Sequence, residues 1–119
     1  MNRKDLGKIG EDISCKFLLK NNYKIIEQNF YYKGGEIDII AFDKSSNEFV
    51  FVEVKTRSNL MYGRAIESVN KVKLNNIIRG AKYFMYIRGL CTQKVRFDAI
   101  EVYYTKQKFY INHVKQIIQ

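Results

Sequence analysis

Two runs, GEIDII at residues 35–40 and FVEVK at 51–55, place carboxylates and a lysine inside otherwise apolar segments. Buried charge is costly unless a counter-charge or a metal offsets it. The stretch between the runs, DKSSNE at 43–48, is polar and turn-like, so they read as neighbouring antiparallel strands. With a symmetric turn, residues whose numbers sum to 91 face each other: Phe42 with Phe49, Ile40 with Phe51, Asp38 with Glu53, and Glu36 with Lys55. Asp38 and Glu53 are thereby expected as cross-strand partners.

Like charges directly opposite one another destabilise a sheet. At ~5 Å and an effective dielectric of ~20 the repulsion is roughly 3 kcal/mol, a poor return for a purely structural role. A hard divalent cation, Mg²⁺ or Mn²⁺, turns that repulsion into ligation, because such ions prefer oxygen ligands and are commonly held by one or two carboxylates. Strand alternation sets Lys55 on the same face as Glu53. Two metal-binding carboxylates and an ammonium are the parts needed to hold an attacking water beside a phosphodiester.

Asp38 followed, after a hairpin, by Glu53-Val54-Lys55 resembles the D…(D/E)-x-K signature of the restriction-endonuclease-like nuclease superfamily, which includes Holliday-junction resolvases. The wider set is Gly7, Gly10-Glu11-Asp12, Asn29, Gly35-Glu36-Ile37-Asp38, Val52-Glu53-Val54-Lys55, Arg57, Gly63, Lys73 and Arg96-Phe97-Asp98. Together these residues closely resemble the small bacterial YraN family over nearly the whole chain. The resemblance implies a restriction-endonuclease-like three-layer α/β/α fold with a mixed central sheet, residues 1–119 forming a single nuclease domain. It also implies that the Val54 carbonyl joins Asp38 and Glu53 on the metal, that Glu11 assists a second metal or orients the first, and that Arg57 and Lys73 contact nucleic acid. Products with 5′-phosphate and 3′-hydroxyl ends are expected, and a homodimer fits, since related resolvases cut paired strands as dimers.

With 119 residues, 46% of them hydrophobic, the chain suits one globular domain with one core. No apolar run approaches ~18 residues and the charged start MNRKDLGKIGED has no apolar segment behind it, so neither export nor a membrane partner is expected. Cys15 and Cys91 lack metal-like spacing and read as free thiols of a reducing cytoplasm; His113 is the sole histidine, which disfavours a histidine-based zinc site. The net charge of +9 is uneven. Residues 1–54 carry 8 basic and 9 acidic side chains, whereas 55–119 carry 13 basic and 3 acidic. Such asymmetry suits a polyanion-binding surface in the second half beside an acidic site in the first, although a basic excess can also serve solubility alone.

Asp5 is positioned to cap a helix over 6–20 with Leu6, Ile9, Ile13 and Phe17 on one stripe. Gly10 would let that helix approach the sheet closely, with Glu11 at the shoulder of the apolar face. Strands are expected over 24–32, 36–42 and 49–57, the last so continuously apolar that both faces must be buried. The loop 58–64, with Gly63, could approach a phosphate or merely connect. A helix over 65–88 turns Ile66, Val69, Leu74, Ile77, Ala81 and Phe84 to the core. On its far side Lys71, Asn75, Arg79 and Lys82 form either a phosphate-tracking ridge or an ordinary solvated face. Lys73 points elsewhere. A strand over 94–104 and a short final strand or tail complete the order αβββαβ, a mixed sheet with helices on both faces. Asp98 is expected to position its strand or a basic neighbour.

The leading functional expectation is a metal-dependent endonuclease or structure-selective nucleic-acid phosphodiesterase, with possible roles in DNA repair or recombination. Asp38 and Glu53 hold the metal, and Lys55 orients or deprotonates the attacking water. DNA is the expected partner, with RNA left open. The alternatives are a nucleic-acid-binding module whose nuclease-like site is idle or partner-dependent, and a protein-interaction scaffold, which leaves the carboxylate pair unexplained.

Overall fold

A computed structural model describes residues 3–58 and 71–118 of the chain. Helix α1 spans Arg3–Lys20 and is followed by strands β1 (Tyr23–Tyr32), β2 (Gly35–Asp43) and β3 (Glu48–Arg57). Helix α2 (Lys71–Ile87) leads to β4 (Val95–Thr105) and β5 (Lys108–Val114). The five strands form one mixed sheet in the order β1-β2-β3-β4-β5. Only β3 and β4 run parallel, as a connection through α2 requires. The final segment is thus a full strand, and the order is αβββαββ. Gly63, Ile66 and Val69, with the start of the helix expected from 65, lie outside the described residues.

The turn between β2 and β3 sets the expected register as far as Ile39: Ile39–Val52, Ile40–Phe51, Ala41–Val50, Phe42–Phe49 and Asp43–Glu48 are paired, whereas the expected Asp38–Glu53 and Glu36–Lys55 pairs are not formed. Its geometry comes from its polar residues. The Asp43 carboxylate accepts the Ser45 N–H at 2.9 Å, the Asp43 carbonyl accepts the Asn47 N–H at 2.8 Å, and Asn47 takes the left-handed conformation at φ 59°.

Each face of the sheet carries one helix. Cys15 and Leu18 of α1 pack on Ile39, Ala41, Val50, Val52, Ile100 and Val102. On the opposite face Ala81, Phe84 and Met85 of α2 pack on Phe30, Ile37, Ile40 and Phe51. The central residues Val50, Phe51 and Val52 are accordingly buried on both sides.

Two local expectations are corrected. Helix α1 begins at Arg3, so Asp5 lies within its first turn, where its charge favours the helix dipole, and not at the cap. Its innermost face is Gly10, Ser14 and Leu18 with Cys15, while Leu6, Ile9, Ile13 and Phe17 are only half-buried. The cause is contact distance. A Cβ at Gly10 would collide with the Thr56 side chain, so the helix rides on β3 at its glycine, and Ser14 satisfies its hydroxyl on the Gly10 carbonyl at 2.8 Å. In α2, Ile77, Ala81 and Phe84 are buried as expected, joined by Gly80 and Met85.

The strand β2 also departs from strict alternation. Ile37 and Ile40, an odd and an even position, both pack beneath α2. The pleat therefore breaks at Asp38. Across from the break Asn29 adopts φ 53°, and the β1–β2 pairing passes from Gln28–Ile39 to Phe30–Ile37 on either side of it.

Candidate metal centre

That break decides which carboxylates meet. With an unbroken pleat Glu36 would share a face with Lys55; with Ile37 turned toward α2, Glu36 turns toward α1 instead, where Glu11 stands. One carboxylate oxygen each from Glu11, Glu36 and Asp38 lie within 4.8 Å of one another, all three side chains half-buried. Asn29 braces the group: with its amide nitrogen facing the carboxylates, it donates to Glu11 Oε1 and to Glu36 Oε1, each at 3.1 Å. Close approach of α1 through Gly10 is what delivers Glu11 to this point.

Asp38 Oδ2 accepts the Val54 N–H at 2.8 Å, so the side chain continues the β2–β3 pairing beyond its last backbone pair, Ile39–Val52. Burial pushes the Asp38 carboxyl up, and the charge of Glu53 pushes it further; the Val54 N–H opposes them, Glu11 and Glu36 add to the rise, and the result is about 7. Glu11 is likewise raised, first by burial and then by Glu36, Asp12 and Glu53. These are carboxylates brought together at a half-buried site, and a cation relieves their repulsion.

Glu53 is 6% exposed and faces α2. Its Oε1 lies 2.6 Å from Lys73 Nζ and 3.5 Å from Lys55 Nζ. Its Oε2 is buried with no hydrogen-bond partner among the described residues. Burial lowers the Lys55 pKa, and the adjacent Lys73 lowers it further against the pull of Glu53 and Asp38. For Lys73 burial also acts to lower the value, but its bonds to Glu53 and Lys55 and the charges of Glu53 and Asp38 outweigh it, and the value is raised. Of two neighbouring ammonium groups, Lys55 is therefore the one that more readily gives up its proton.

The sequence-derived residues are thus distributed over two adjoining groups. Asp38 and Glu11 belong to the carboxylate group, whereas Glu53, Lys55 and Lys73 form an ion cluster coupled to it through the repulsion between Asp38 and Glu53. Val54 contributes its N–H to Asp38. Arg57 ends β3, with Nη1 on the Thr56 carbonyl at 3.3 Å. Lys71, Asn75, Arg79 and Lys82 are all exposed on α2, but they do not share one surroundings. Arg79 lies beside Tyr31, Tyr32, Lys33 and Tyr83, while Lys82 borders an apolar cavity with Ala81, Met85 and Phe97.

Glu36 and Asn29 are the residues that strand-pattern reasoning did not place in the site. The signal was present in GEID, where Glu36 and Asp38 stand two apart, and in an asparagine, the residue type that most readily takes positive φ besides glycine. The donor set suits a hard divalent ion: three carboxylates whose oxygens lie within 4.8 Å of one another, with no soft ligand grouped with them among the described residues.

Asp98 meets the expectation that it holds a basic neighbour. Arg96 Nε and Nη2 donate to its two oxygens at 2.9 and 3.0 Å, and His113 Nε2 lies 2.8 Å from Oδ2. Among the described residues no helix is long and apolar enough to cross a membrane.

Comparison with known proteins gives a single family. The model of the family described as uncharacterised protein family UPF0102 matches residues 10–102. The chain is 44% identical to a UPF0102 protein of Clostridioides difficile (strain 630), over 96% of this chain and 96% of that one. It is 40% identical to a UPF0102 protein of Caldanaerobacter subterraneus subsp. tengcongensis, over 99% of this chain and 95% of the relative. A third, from Acetivibrio thermocellus, is 46% identical over 89% of this chain and 81% of its own length. The matched region contains Glu11, Asn29, Glu36, Asp38, Glu53, Lys55 and Lys73, so the candidate centre lies wholly within it, and the chain belongs to the UPF0102 family, the YraN-like proteins.

Proposed function

We propose that this protein is a metal-dependent nuclease of the restriction-endonuclease-like class, acting as an endonuclease or structure-selective phosphodiesterase on nucleic acid, with residues 1–119 as its one domain. The observation that carries the reading is Glu53: a buried carboxylate with one oxygen on Lys73 and the other without a partner among the described residues, beside an Asp38 that its charge helps to raise to about 7. Asp38 and Glu53, with Glu11 and Glu36 behind them, would hold Mg²⁺ or Mn²⁺, and the Val54 carbonyl is added to that set on the family resemblance. Such an ion, when bound, supplies a Lewis acid for the phosphoryl oxygen and a nucleophile at neutral pH.

The chain's own residues do the rest. Lys55, lowered by burial and by Lys73, orients the attacking water or takes its proton, and its positive form stabilises charge developing on the phosphate. Lys73 neutralises Glu53 before the site is loaded and is then placed to meet a substrate phosphate. Arg57, Lys71, Arg79 and Lys82 add backbone contacts, which carry affinity and not sequence. DNA is the expected substrate, a homodimer the form in which two strands would be cut, and the cytoplasm the compartment, where the free thiols Cys15 and Cys91 stay reduced.

One observation favours a second reading, a nucleic-acid-binding module with an idle site. The ion pair of Lys73 with Glu53 at 2.6 Å already supplies a counter-charge without any metal. A Mg²⁺ and Mn²⁺ titration followed by cleavage assays on duplex, branched and single-stranded DNA and RNA separates the two. Metal-dependent cutting with 5′-phosphate products supports the nuclease; salt-sensitive binding without cutting on any substrate supports the module. Failure to bind any nucleic acid overturns both.

A further inference from the structure

We propose that the cleft between the end of β1 and α2 is a stacking pocket for an unpaired base, so that this protein prefers nucleic acid presenting an unpaired nucleotide beside the candidate metal centre. The inference rests on the nucleic-acid reading above and adds the structural class of the substrate. Tyr31, Tyr32, Lys33, Arg79 and Tyr83 line a cavity of about 360 Å³, within the ~300–1,000 Å³ usual for small-ligand sites. Three phenol rings with a guanidinium and an ammonium combine the two features that bind single strands, aromatic faces for bases and positive charge for the backbone.

The rings differ in how firmly they are held. Tyr32 stacks on Phe30 at 6.3 Å between centroids and 22° between planes, and its ring occupies the space a Cβ would take at Gly80. It forms a fixed floor. Tyr83 lies against Phe30 at 6.2 Å yet is 51% exposed, and Tyr31 is 71% exposed, so both present faces to solvent where large aromatics are usually covered. Arg79 is steadied by Asn76 Oδ1 at 3.0 Å and can add a cation–π face.

Tyr31 joins this pocket to the carboxylate group. It is the cross-strand partner of Glu36, whose charge acts on its hydroxyl. On the other flank Tyr32 feels the charges of Glu53, Arg79 and Lys73. A base seated against Tyr83 above the Tyr32 floor would lie on the α2 side of the sheet, the side of the ion cluster, with Tyr31 at its rim. In a duplex the base faces are covered by their neighbours, so only an unpaired nucleotide can use the pocket.

The test measures binding by fluorescence anisotropy in EDTA, which removes cleavage from the readout. The probes are a blunt two-strand DNA duplex, the same duplex with an oligothymidine overhang, and the same with an oligouridine overhang. The overhangs are expected to tighten binding by at least about tenfold, for both sugars, since stacking is worth roughly 5- to 150-fold per base and does not read the ribose. Tyr31→Ala and Tyr83→Ala should remove most of that gain and leave blunt-duplex affinity unchanged, while Tyr31→Phe keeps it. A 5-iodouracil in the overhang should photo-crosslink to Tyr31 or Tyr83, which reports the contact in the unmutated protein. Equal affinity for blunt and overhang probes, or crosslinks confined to other surfaces, overturns the pocket and leaves the nucleic-acid reading standing. No binding to any probe overturns both.

Discussion

Lys73 Nζ sits 2.6 Å from Glu53 Oε1, a cation from α2 placed on a carboxylate from β3 whose second oxygen has no hydrogen-bond partner among the described residues. The lysine and a metal ion would compete for the same negative charge. Removing the ammonium with Lys73→Met should leave the buried Glu53 with only the more distant Lys55 at 3.5 Å, costing the metal-free protein roughly 1.5–3 kcal/mol, the range for a hydrogen bond to a charged group. The same change should enlarge the gain in melting temperature on adding Mn²⁺. Thermal melts in EDTA and in Mn²⁺ give both numbers, and an unchanged metal-induced shift would remove Glu53 from the proposed ligand set.

Asp38 makes the complementary case. Its carboxyl is raised to about 7 by burial and by Glu53, with Glu11 and Glu36 adding to the strain. Asp38→Asn keeps an oxygen for the Val54 N–H and deletes a repelled charge. The metal-free variant should be as stable as the parent or more so by up to ~1–2 kcal/mol, while losing at least tenfold in Mn²⁺ affinity by calorimetry. A variant that binds Mn²⁺ as the parent does would sink the centre as assigned, because Asp38 belongs to every version of it.

Most of the architecture is legible in the sequence because the β2–β3 turn is symmetric and polar, and its register orders the hairpin side chains from Ile39 to Val52. Three things escape. The pleat break at Asp38 turns Glu36 from Lys55 to Glu11, and it lies across from Asn29 at φ 53°, a backbone feature that periodicity does not register. Helix α1 packs on its smallest residues, Gly10 and Ser14, so a stripe chosen for hydrophobicity is centred about one residue away from the true contact line. The turn between β4 and β5 holds Lys106 at φ 51° and Gln107 at φ 63°, a conformation normally signalled by asparagine and glycine, so the length of β5 was open.

At the opposite end of the sheet Arg96 binds Asp98, Asp43 and Glu48 at 2.9 to 3.0 Å and Tyr23 at 2.7 Å, with Ser46 and His113 at the margin. Burial alone would raise Asp43, but the hydrogen bonds from Arg96, Ser45 and Ser46 and the Arg96 charge hold it at about 2, below its ordinary 3.8. A carboxyl depressed by folding contributes stability above its unfolded value that is lost as pH falls through the folded one. That loss falls here between about pH 4 and 2. Arg96→Met should cost ~3–5 kcal/mol at neutral pH by leaving buried carboxylates unpaired, and the gap from the parent should narrow below about pH 4 as those groups protonate. Urea unfolding across that range checks it; a gap that stays constant to pH 2 would show that the guanidinium acts through packing and not through charge.

The sharpest division between binding and catalysis falls on Lys55. Its ammonium is 3.5 Å from Glu53 Oε1 and its pKa is lowered by burial and by Lys73, so it belongs to the ion cluster and not to the exposed face of α2. Methionine at this position keeps the aliphatic stem that packs along β3 and removes only the charge and the titrating proton. Under the proposed reading Lys55→Met keeps Mn²⁺ binding and most nucleic-acid affinity yet cleaves at least ~100-fold more slowly, the lower end for a positioned acid or base. Joint replacement of Lys71, Arg79 and Lys82 should do the reverse, weakening binding and flattening its salt dependence while single-turnover cleavage at saturating substrate persists. Should Lys55→Met cut at the parental rate, on a substrate the parent demonstrably cuts, the proton-transfer role is wrong and the two lysines serve only to hold Glu53 in place.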